Sequence, residues 1–301
     1  MYTFLTKFKK SVRDSTDTIR RLLRARGSAT GAQLAAATGL SHVTIYKELA
    51  RLVAQGEARH SPQPAPSQGG RRARVYECEP GYARRVLLES QQQGAVLSLT
   101  LEQMDLQGRS LRREESAWAR LEPAGLESWL ATALRRQRIA SIALALEPTP
   151  ALTPLRDKLR QRYHCPVAYL CPAEALADTR ENTATLYLSR GAAPRCSLRR
   201  HGRASSTGAL ELLPLPAAWD TLDYTDHTLV EEMIARLLQA LSCILAPARI
   251  TTHADFWSPR LIERIRFNTH SKLKGRAPEL HFQHTSPAAA HAALRRRAQT
   301  L

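Results

Sequence analysis

His42, Thr44, Tyr46 and Lys47 fall within six consecutive residues that open directly after Gly39-Leu40-Ser41. An imidazole, a hydroxyl, a phenol and an ammonium on the first turns of one helix would offer hydrogen bonds to base edges and a cation to a phosphate. Arg51 follows one turn after Lys47, and Ser41 is a residue type that caps helix N-termini. Further on, Arg71, Arg72 and Arg74 form a short basic run behind Ser61-Pro-Gln-Pro-Ala-Pro-Ser-Gln-Gly-Gly70. Guanidinium groups on such a loop suit phosphates or an adjacent minor groove. The chemistry these residues imply is recognition of double-stranded DNA by Ser41, His42, Thr44, Tyr46, Lys47, Arg51, Arg71, Arg72 and Arg74.

Three helices must position that set. The first spans about residues 15–26, with Ile19, Leu22 and Leu23 on one face and Gly27 as its stop. The second runs from about Gly31 to Thr38, and the third from the Ser41 cap to about Gln55 and Gly56. Ala35, Gly39 and Ile45 stand at the offsets of a helix-turn-helix: a small residue where two helices touch, a flexible turn, and an apolar anchor. Val43, Ile45, Leu49 and Leu52 are expected to face inward. Residues 57–60 and 74–77 are strand-like and bracket the Pro/Gly loop, so a winged helix-turn-helix is expected over residues 1–90.

Charge agrees with that placement. The 301 residues hold 44 Lys and Arg against 27 Asp and Glu, a formal net charge of +17, which calls for an anionic partner. Residues 1–90 carry 16 of those bases and 7 of the acids, so the first third is the most basic. Ile139 to Leu146 is far too short to span a bilayer, and the first ten residues lack the apolar core of a secretion signal. A cytoplasmic location, with no membrane partner, is expected. Five cysteines without CxxC spacing indicate neither a disulfide framework nor a zinc site. His281 and His284 are closely spaced among ten histidines but have no acidic or cysteine partner, so no metal ligand is assigned. Cys171 has no assignable His or Asn partner that would make it a nucleophile. Ala204-Ser-Ser-Thr207 suits a surface turn better than a phosphate loop. Gln91-Gln-Gln-Gly94, read as following a helical segment, places a domain boundary there, with residues 91–301 as the second domain. No internal repeat is visible at a fixed period.

The helix-turn-helix, then Gly69-Gly70-Arg71-Arg72, then a strand-rich region resembles the repressor–open-reading-frame–kinase (ROK) family of sugar-responsive regulators. The resemblance is good over about residues 16–80 and collinear but patchy beyond. It implies a two-lobed, actin-like sugar-kinase fold (ribonuclease H-like) for residues 91–301, in a chain shorter than relatives with both domains. It also implies that several functional positions are changed. Ala95 to Gly108 is similar to the family's first hairpin, but Thr100 to Gln103 holds no phosphate-binding glycine. Pro166 to Ala175 is similar to the stretch with the sugar-binding Asn and the catalytic Asp, where Cys171 and Pro172 now stand. Thr185 to Pro194 resembles the second phosphate loop, and only Gly191 remains of its glycines. Gly208 to Pro216 resembles the stretch that carries a sugar- and zinc-binding His, with Ala209 in place of Glu and Leu212 in place of that His. The cysteine-rich zinc loop is absent between Trp219 and Thr228. Ala248 to Ala254 is similar to the adenosine-side strand and turn, with Thr252 and His253 where glycines belong.

Without the resemblance, residues 91–301 still read as an α/β domain. Ile139–Leu146, Val167–Leu170 and Thr183–Ser189 have strand character, and Leu152–His164 and Leu229–Leu245 helical character. The basic segment Arg260 to Arg276, partly striped by Leu261, Ile262, Ile265 and Phe267, reads as a docked helix with a solvated face. The expectation is a homodimeric DNA-binding regulator, more a repressor than an activator. Its degenerate kinase-like domain would lack catalysis, cofactor and metal, and would dimerise and take a small-molecule effector. A divergent sugar kinase and a non-specific architectural DNA-binding protein are the alternatives.

Overall fold

The computed structural model describes residues 15–24, 26–62, 73–93, 96–146, 152–177, 180–190, 192–200, 203–206, 219, 222–273 and 277–301. The chain starts with helix α1 (15–24), strand β1 (Ser28–Thr30), α2 (Gly31–Thr38), α3 (His42–Ala54), β2 (Ala58–His60) and β3 (Val75–Cys78). Ile19, Leu23, Leu34, Ile45, Leu49, Leu52, Tyr76 and Cys78 close one small core, and an antiparallel sheet of order β1-β3-β2 lies beside it. β1 was not foreseen, because three residues are too few to show a period. A buried polar knot ties α1 to α3. Thr16 Oγ1 donates to Glu48 Oε2 at 2.6 Å, and Arg51 pairs with the same carboxylate at 2.9 Å.

Next comes β4 (Arg84–Gln93), where the sequence suggested a helical segment. The run Val86-Leu87-Leu88 lacks the alternation of a half-exposed strand because both faces of β4 are buried. Residues 90 and 91, between which the boundary was expected, both lie within this strand. β5 (Val96–Met104) and β6 (Ser110–Trp118) continue antiparallel. Thr100 to Gln103, expected to be the loop of a hairpin, is in the middle of β5. Residues 94–95, between β4 and β5, lie outside the described residues. Then follow α4 (Pro123–Ala133), β7 (Ile139–Ala145), α5 (Thr153–Tyr163), β8 (Val167–Tyr169) and the single turn α6 (Pro172–Ala175). The sheet order is β6-β5-β4-β7-β8, with β7 and β8 parallel to β4.

The remaining elements repeat that plan. β9 (Thr183–Tyr187), β10 (Arg195–Arg200) and β11 (Arg203–Ser206) are antiparallel. Then α7 (His227–Leu245), β12 (Arg249–Ala254), α8 (Pro259–Leu273), β13 (Glu279–His284) and α9 (Pro287–Gln299) complete the sheet β11-β10-β9-β12-β13. Two halves of identical strand order and direction therefore exist where the sequence has no visible repeat. Strand-and-helix order is set by hydrophobic period, which survives replacement of nearly every residue.

The last helix of each half crosses to the other half. α6 packs on β9, β10 and β11, α9 packs on β4 and β7, and the two helices touch each other. Leu294 and Ala298 of α9 meet Leu87, Met104, Ala143 and Ala145 on one face of the first sheet. Leu126 and Leu130 of α4, with Leu155 and Leu159 of α5, cover the other face. The second sheet buries Ala184, Leu186, Leu198 and Ile250 against α7 and α8. Phe267, expected in the α8 stripe, is instead 73% exposed, since it lies two residues beyond buried Ile265 and so about 200° around the helix.

One ionic cluster holds α9 in place. The His291 ring lies between Glu89 of β4 and Glu102 of β5, with Glu102 Oε2 at 3.0 Å from Nε2, and Arg295 Nε reaches Glu102 Oε1 at 3.4 Å. Hydrogen bonds to Glu102 and Glu89 raise the His291 pKa from 6.5 to about 9 against the effect of burial. Burial by itself would raise the Glu102 carboxyl, but the hydrogen bonds from His291 and Ser110 and the Arg295 charge outweigh it and hold it below its ordinary value. Because the folded pKa of His291 is the higher one, its contribution is complete below about pH 6.5 and is lost as pH rises through about 9. His291→Gln is expected to lower stability at pH 6 by on the order of 2 kcal/mol. The difference from wild type should shrink steadily toward pH 9.5 in thermal or urea melts. A deficit that stays constant with pH would mean that packing, not charge, holds the helix.

Candidate nucleic-acid interface

α2 starts with a capping box. Thr30 Oγ1 accepts from the Gln33 amide at 3.2 Å, and the Gln33 side chain accepts from the Thr30 amide at 2.9 Å. It ends at Gly39, whose φ of +70° turns the chain at little steric cost. Ser41 caps α3 by accepting from the Thr44 amide at 3.2 Å. Two helices joined by a three-residue turn result, with Ala35, Ile45 and Leu49 buried between them and the rest of the core. Gly31 has a packing reason. A Cβ there would lie 2.7 Å from Tyr46 Cζ, so the Tyr46 ring covers the first residue of α2.

Five of the nine residues named from the sequence are placed on or beside the start of α3, and Arg51 is in its last turn. His42, Tyr46 and Lys47 are exposed together on its N-terminal half. Thr44 is half-buried, and its hydroxyl is 2.9 Å from Ser41 Oγ, so these two serve the cap first. Arg51 is exposed but bound to Glu48 and Thr16, which reduces its freedom to reach outward. Arg74 is exposed just before β3, away from α3 in sequence. Arg71 and Arg72, with the Pro/Gly loop, lie outside the described residues. Arg59 of β2 is committed to Glu77 at 2.7 Å.

Val43 is a correction. Expected inside, it is 79% exposed and joins His42, Tyr46 and Lys47 on the outer face. Helical arithmetic carries the signal: Ile45, Leu49 and Leu52 define the buried stripe, and Val43 stands about 200° from Ile45. An exposed isopropyl group beside three polar side chains is suited to apolar contact with a thymine methyl.

The two halves of the body differ on their inner faces. Where the first sheet presents Leu87, Ala143 and Ala145, the second presents Thr185, Ser197, Thr251 and His253, all buried. His253 Nδ1 is 3.0 Å from Thr285 Oγ1, and burial lowers its pKa to about 4, so the ring is neutral at pH 7. Thr252 and His253, expected at a turn, lie within strand β12. Cys171 is at the N-cap of α6 and Pro172 opens that helix, and burial pushes the Cys171 thiol up. A half-buried thiol with its pKa pushed up is a poor nucleophile and a poor base at neutral pH. Residues 192–194 lead from the β9 end into β10, while Gly191 and Gly208 to Pro216 lie outside the described residues. His281 and His284 are in β13, where His281 pairs with Glu279. Among the described residues no cluster of three metal-ligating side chains occurs, and no helix is long and apolar enough to cross a membrane.

No family model and no curated protein matches the chain. Among solved structures, a ROK family transcriptional regulator homologous to the E. coli Mlc protein aligns over 96% of this chain and 97% of its own, at 13% identity and a TM-score of 0.56. The Lmo2764 protein of Listeria monocytogenes, assigned as an N-acetylmannosamine kinase, aligns over 71% of this chain and 98% of its own, at 11% identity and a TM-score of 0.48. The first similarity establishes that this chain has the fold of that regulator along nearly its whole length.

The Gly31–Tyr46 contact generates a test of the α2–α3 geometry. Gly31→Ala is expected to destabilise the wild-type protein, since its methyl would displace the Tyr46 ring. In a Tyr46→Ala background the same change should be neutral or stabilising by up to about 1 kcal/mol, as alanine favours a helix. Additive effects in chemical denaturation would show that the ring does not rest on Gly31.

Proposed function

We propose that this protein is a dimeric, cytoplasmic DNA-binding transcriptional regulator of the ROK type, in which residues up to about 80 form a winged helix-turn-helix and the rest a kinase-like body without kinase chemistry. The observation that carries the reading is the outer face of α3: His42, Val43, Tyr46 and Lys47 project together from the N-terminal half of a helix whose opposite side is fully buried. That is the part of a recognition helix which enters a major groove. Support comes from the +17 charge and from a fold shared end to end with a regulator.

Within this proposal the residues have distinct roles. His42, Thr44 and Tyr46 hydrogen-bond base edges, Val43 contacts thymine methyl groups, and Lys47 binds phosphate. Ser41 caps the helix, and Arg51 braces α3 against α1 while its exposed end faces the backbone. Arg71, Arg72 and Arg74 belong to the wing and take phosphate or minor-groove contacts. Dimerisation through the body supplies two recognition helices for a two-fold site, because one helix reads few base pairs. A small-molecule effector acts through the body, and repression is the mode the reading favours. Cys171 and Pro172 at the start of α6 provide no proton acceptor for activating a sugar hydroxyl, so the body is assigned structural and sensing duties.

Sequencing of genomic fragments retained by the purified protein at about 0.15 M salt, with excess competitor DNA, is expected to recover a few sites sharing a two-fold motif. Uniform recovery in effector-free and effector-supplemented extracts would replace the specific regulator with an architectural DNA-binding protein. On the recovered site, Lys47→Ala should weaken binding to all sequences alike and reduce the salt slope by about 1, whereas Val43→Ala or Tyr46→Ala should relax preference at particular base pairs by about 1 kcal/mol or more. Unchanged affinity and slope in Lys47→Ala would remove the assigned face. Incubation with ATP and a panel of hexoses and acetylated hexosamines should give no sugar-dependent ADP, and turnover abolished by changing a residue of the body would restore the kinase alternative.

A further inference from the structure

Between the N-terminal unit and the first half of the body is a cavity of about 900 Å³, lined by α1, Glu57, Tyr82 and the 137–140 and 162–166 segments. Five arginines face it, Arg20, Arg21, Arg24, Arg138 and Arg162, against the two side-chain carboxylates of Asp17 and Glu57, with Leu301 at the chain end also in its lining. Both carboxylates are already taken. Arg20 pairs with Asp17 and with Glu57 at 2.6 Å, and Tyr82 donates a further hydrogen bond to Glu57 at 3.1 Å. Among the described residues no ion pair is made by Arg21, Arg24, Arg138 or Arg162. Arg138 stacks on the Tyr82 ring at 4.7 Å and Arg162 on Tyr163 at 5.9 Å, contacts that hold the guanidinium planes without neutralising them. Arg24 Nε is buried and donates to nothing among the described residues, and Gln137 Oε1 is buried without a donor. A guanidinium taken out of water without a counter-charge is costly, and an anion would remove that cost.

We propose that this cavity binds a phosphorylated small molecule, its phosphate held by Arg24 and Arg138 with Arg21 and Arg162 at the exposed rim. Its size is that of a small-ligand pocket. DNA backbone is a poorer fit because the cavity adjoins Glu57, just past the C-terminal end of α3. The 13 residues of that helix place it about 20 Å from the His42 end. A ligand bridging α1 and the 137–166 region would set how the N-terminal unit sits on the body. That consequence rests on the DNA-binding reading, whereas the binding itself does not.

Titration calorimetry of the full chain with inorganic pyrophosphate, at constant ionic strength, separates the cases. Wild type and Lys47→Ala are expected to bind one equivalent with the same Kd. Arg24→Gln/Arg138→Gln should bind at least tenfold more weakly. If loss of the buried Arg24 impairs folding, the exposed pair Arg21→Gln/Arg162→Gln decides, with an expected several-fold weakening. The proposal is overturned if wild type gives no saturable heat, if all variants bind alike as a counter-ion on a basic surface would, or if Lys47→Ala weakens pyrophosphate as much as the cavity variants do.

Discussion

The body of this protein depends on one protonated imidazole between two carboxylates. Glu89 and Glu102 lie on neighbouring strands of the first half, about 190 residues before His291 of α9, and the pair has no other histidine near it among the described contacts. Two acids side by side on a buried sheet face repel each other and lose hydration, so a cation has to come from elsewhere in the chain. α9 brings it, and the same helix brings Leu294 and Ala298 to close the apolar side of that sheet. Arg295 and Gln299 then reach the Gly108 carbonyl, and Arg297 reaches Glu174 of α6. Removing the helix would expose the apolar part of that sheet face and leave two neighbouring carboxylates without their shared cation, so α9 ties the second half of the chain to the first.

The exchange of α6 and α9 also explains why two copies of one topology have different inner faces. The first sheet meets the long α9, thirteen residues with alanines and leucine on its contact side, and is apolar there apart from the Glu89–Glu102–His291 cluster. Among the described residues the second sheet meets the single turn α6 on this side, and the buried residues there are threonine, serine and histidine. Hydroxyls and a neutral imidazole tolerate burial if hydrogen-bonded, as His253 is to Thr285.

Positive charge is distributed in two places with different consequences. On α3 it is presented outward to solvent beside an exposed valine and tyrosine. At the joint between α1 and the body it is turned inward, into a concave space where lower hydration strengthens each interaction. The N-terminal unit is thus basic at both ends of its central helix, and the two ends are linked by the rigid Ile45-Leu49-Leu52 stripe and the Thr16-Glu48-Arg51 knot.

Much of the N-terminal unit was legible in the sequence. Gly39 and Ser41 are local signals, since caps and left-handed turns depend on neighbours three or four residues away, and α2 and α3 follow from them, while β2 and β3 follow from the strand-like pieces on either side of the Pro/Gly loop. The strands β7, β8 and β9 and the helices α5 and α7 are also local, because hydrophobic period belongs to the segment itself. Their order in the chain already implied a layered α/β body. What only the tertiary structure decided was everything that depends on distant partners. β4 reads like a helix until β5 and β7 bury both of its faces. The duplicated sheet order is invisible to residue identity. Val43 and Phe267 are apolar yet exposed, because which side of a helix is covered is settled by the element packed on it. The pairing of His291 with Glu89 and Glu102, and the meeting of Arg24 with Arg138, join residues with more than a hundred positions between them. No spacing rule operates at that range; only folding brings such charges close enough for their energies to count.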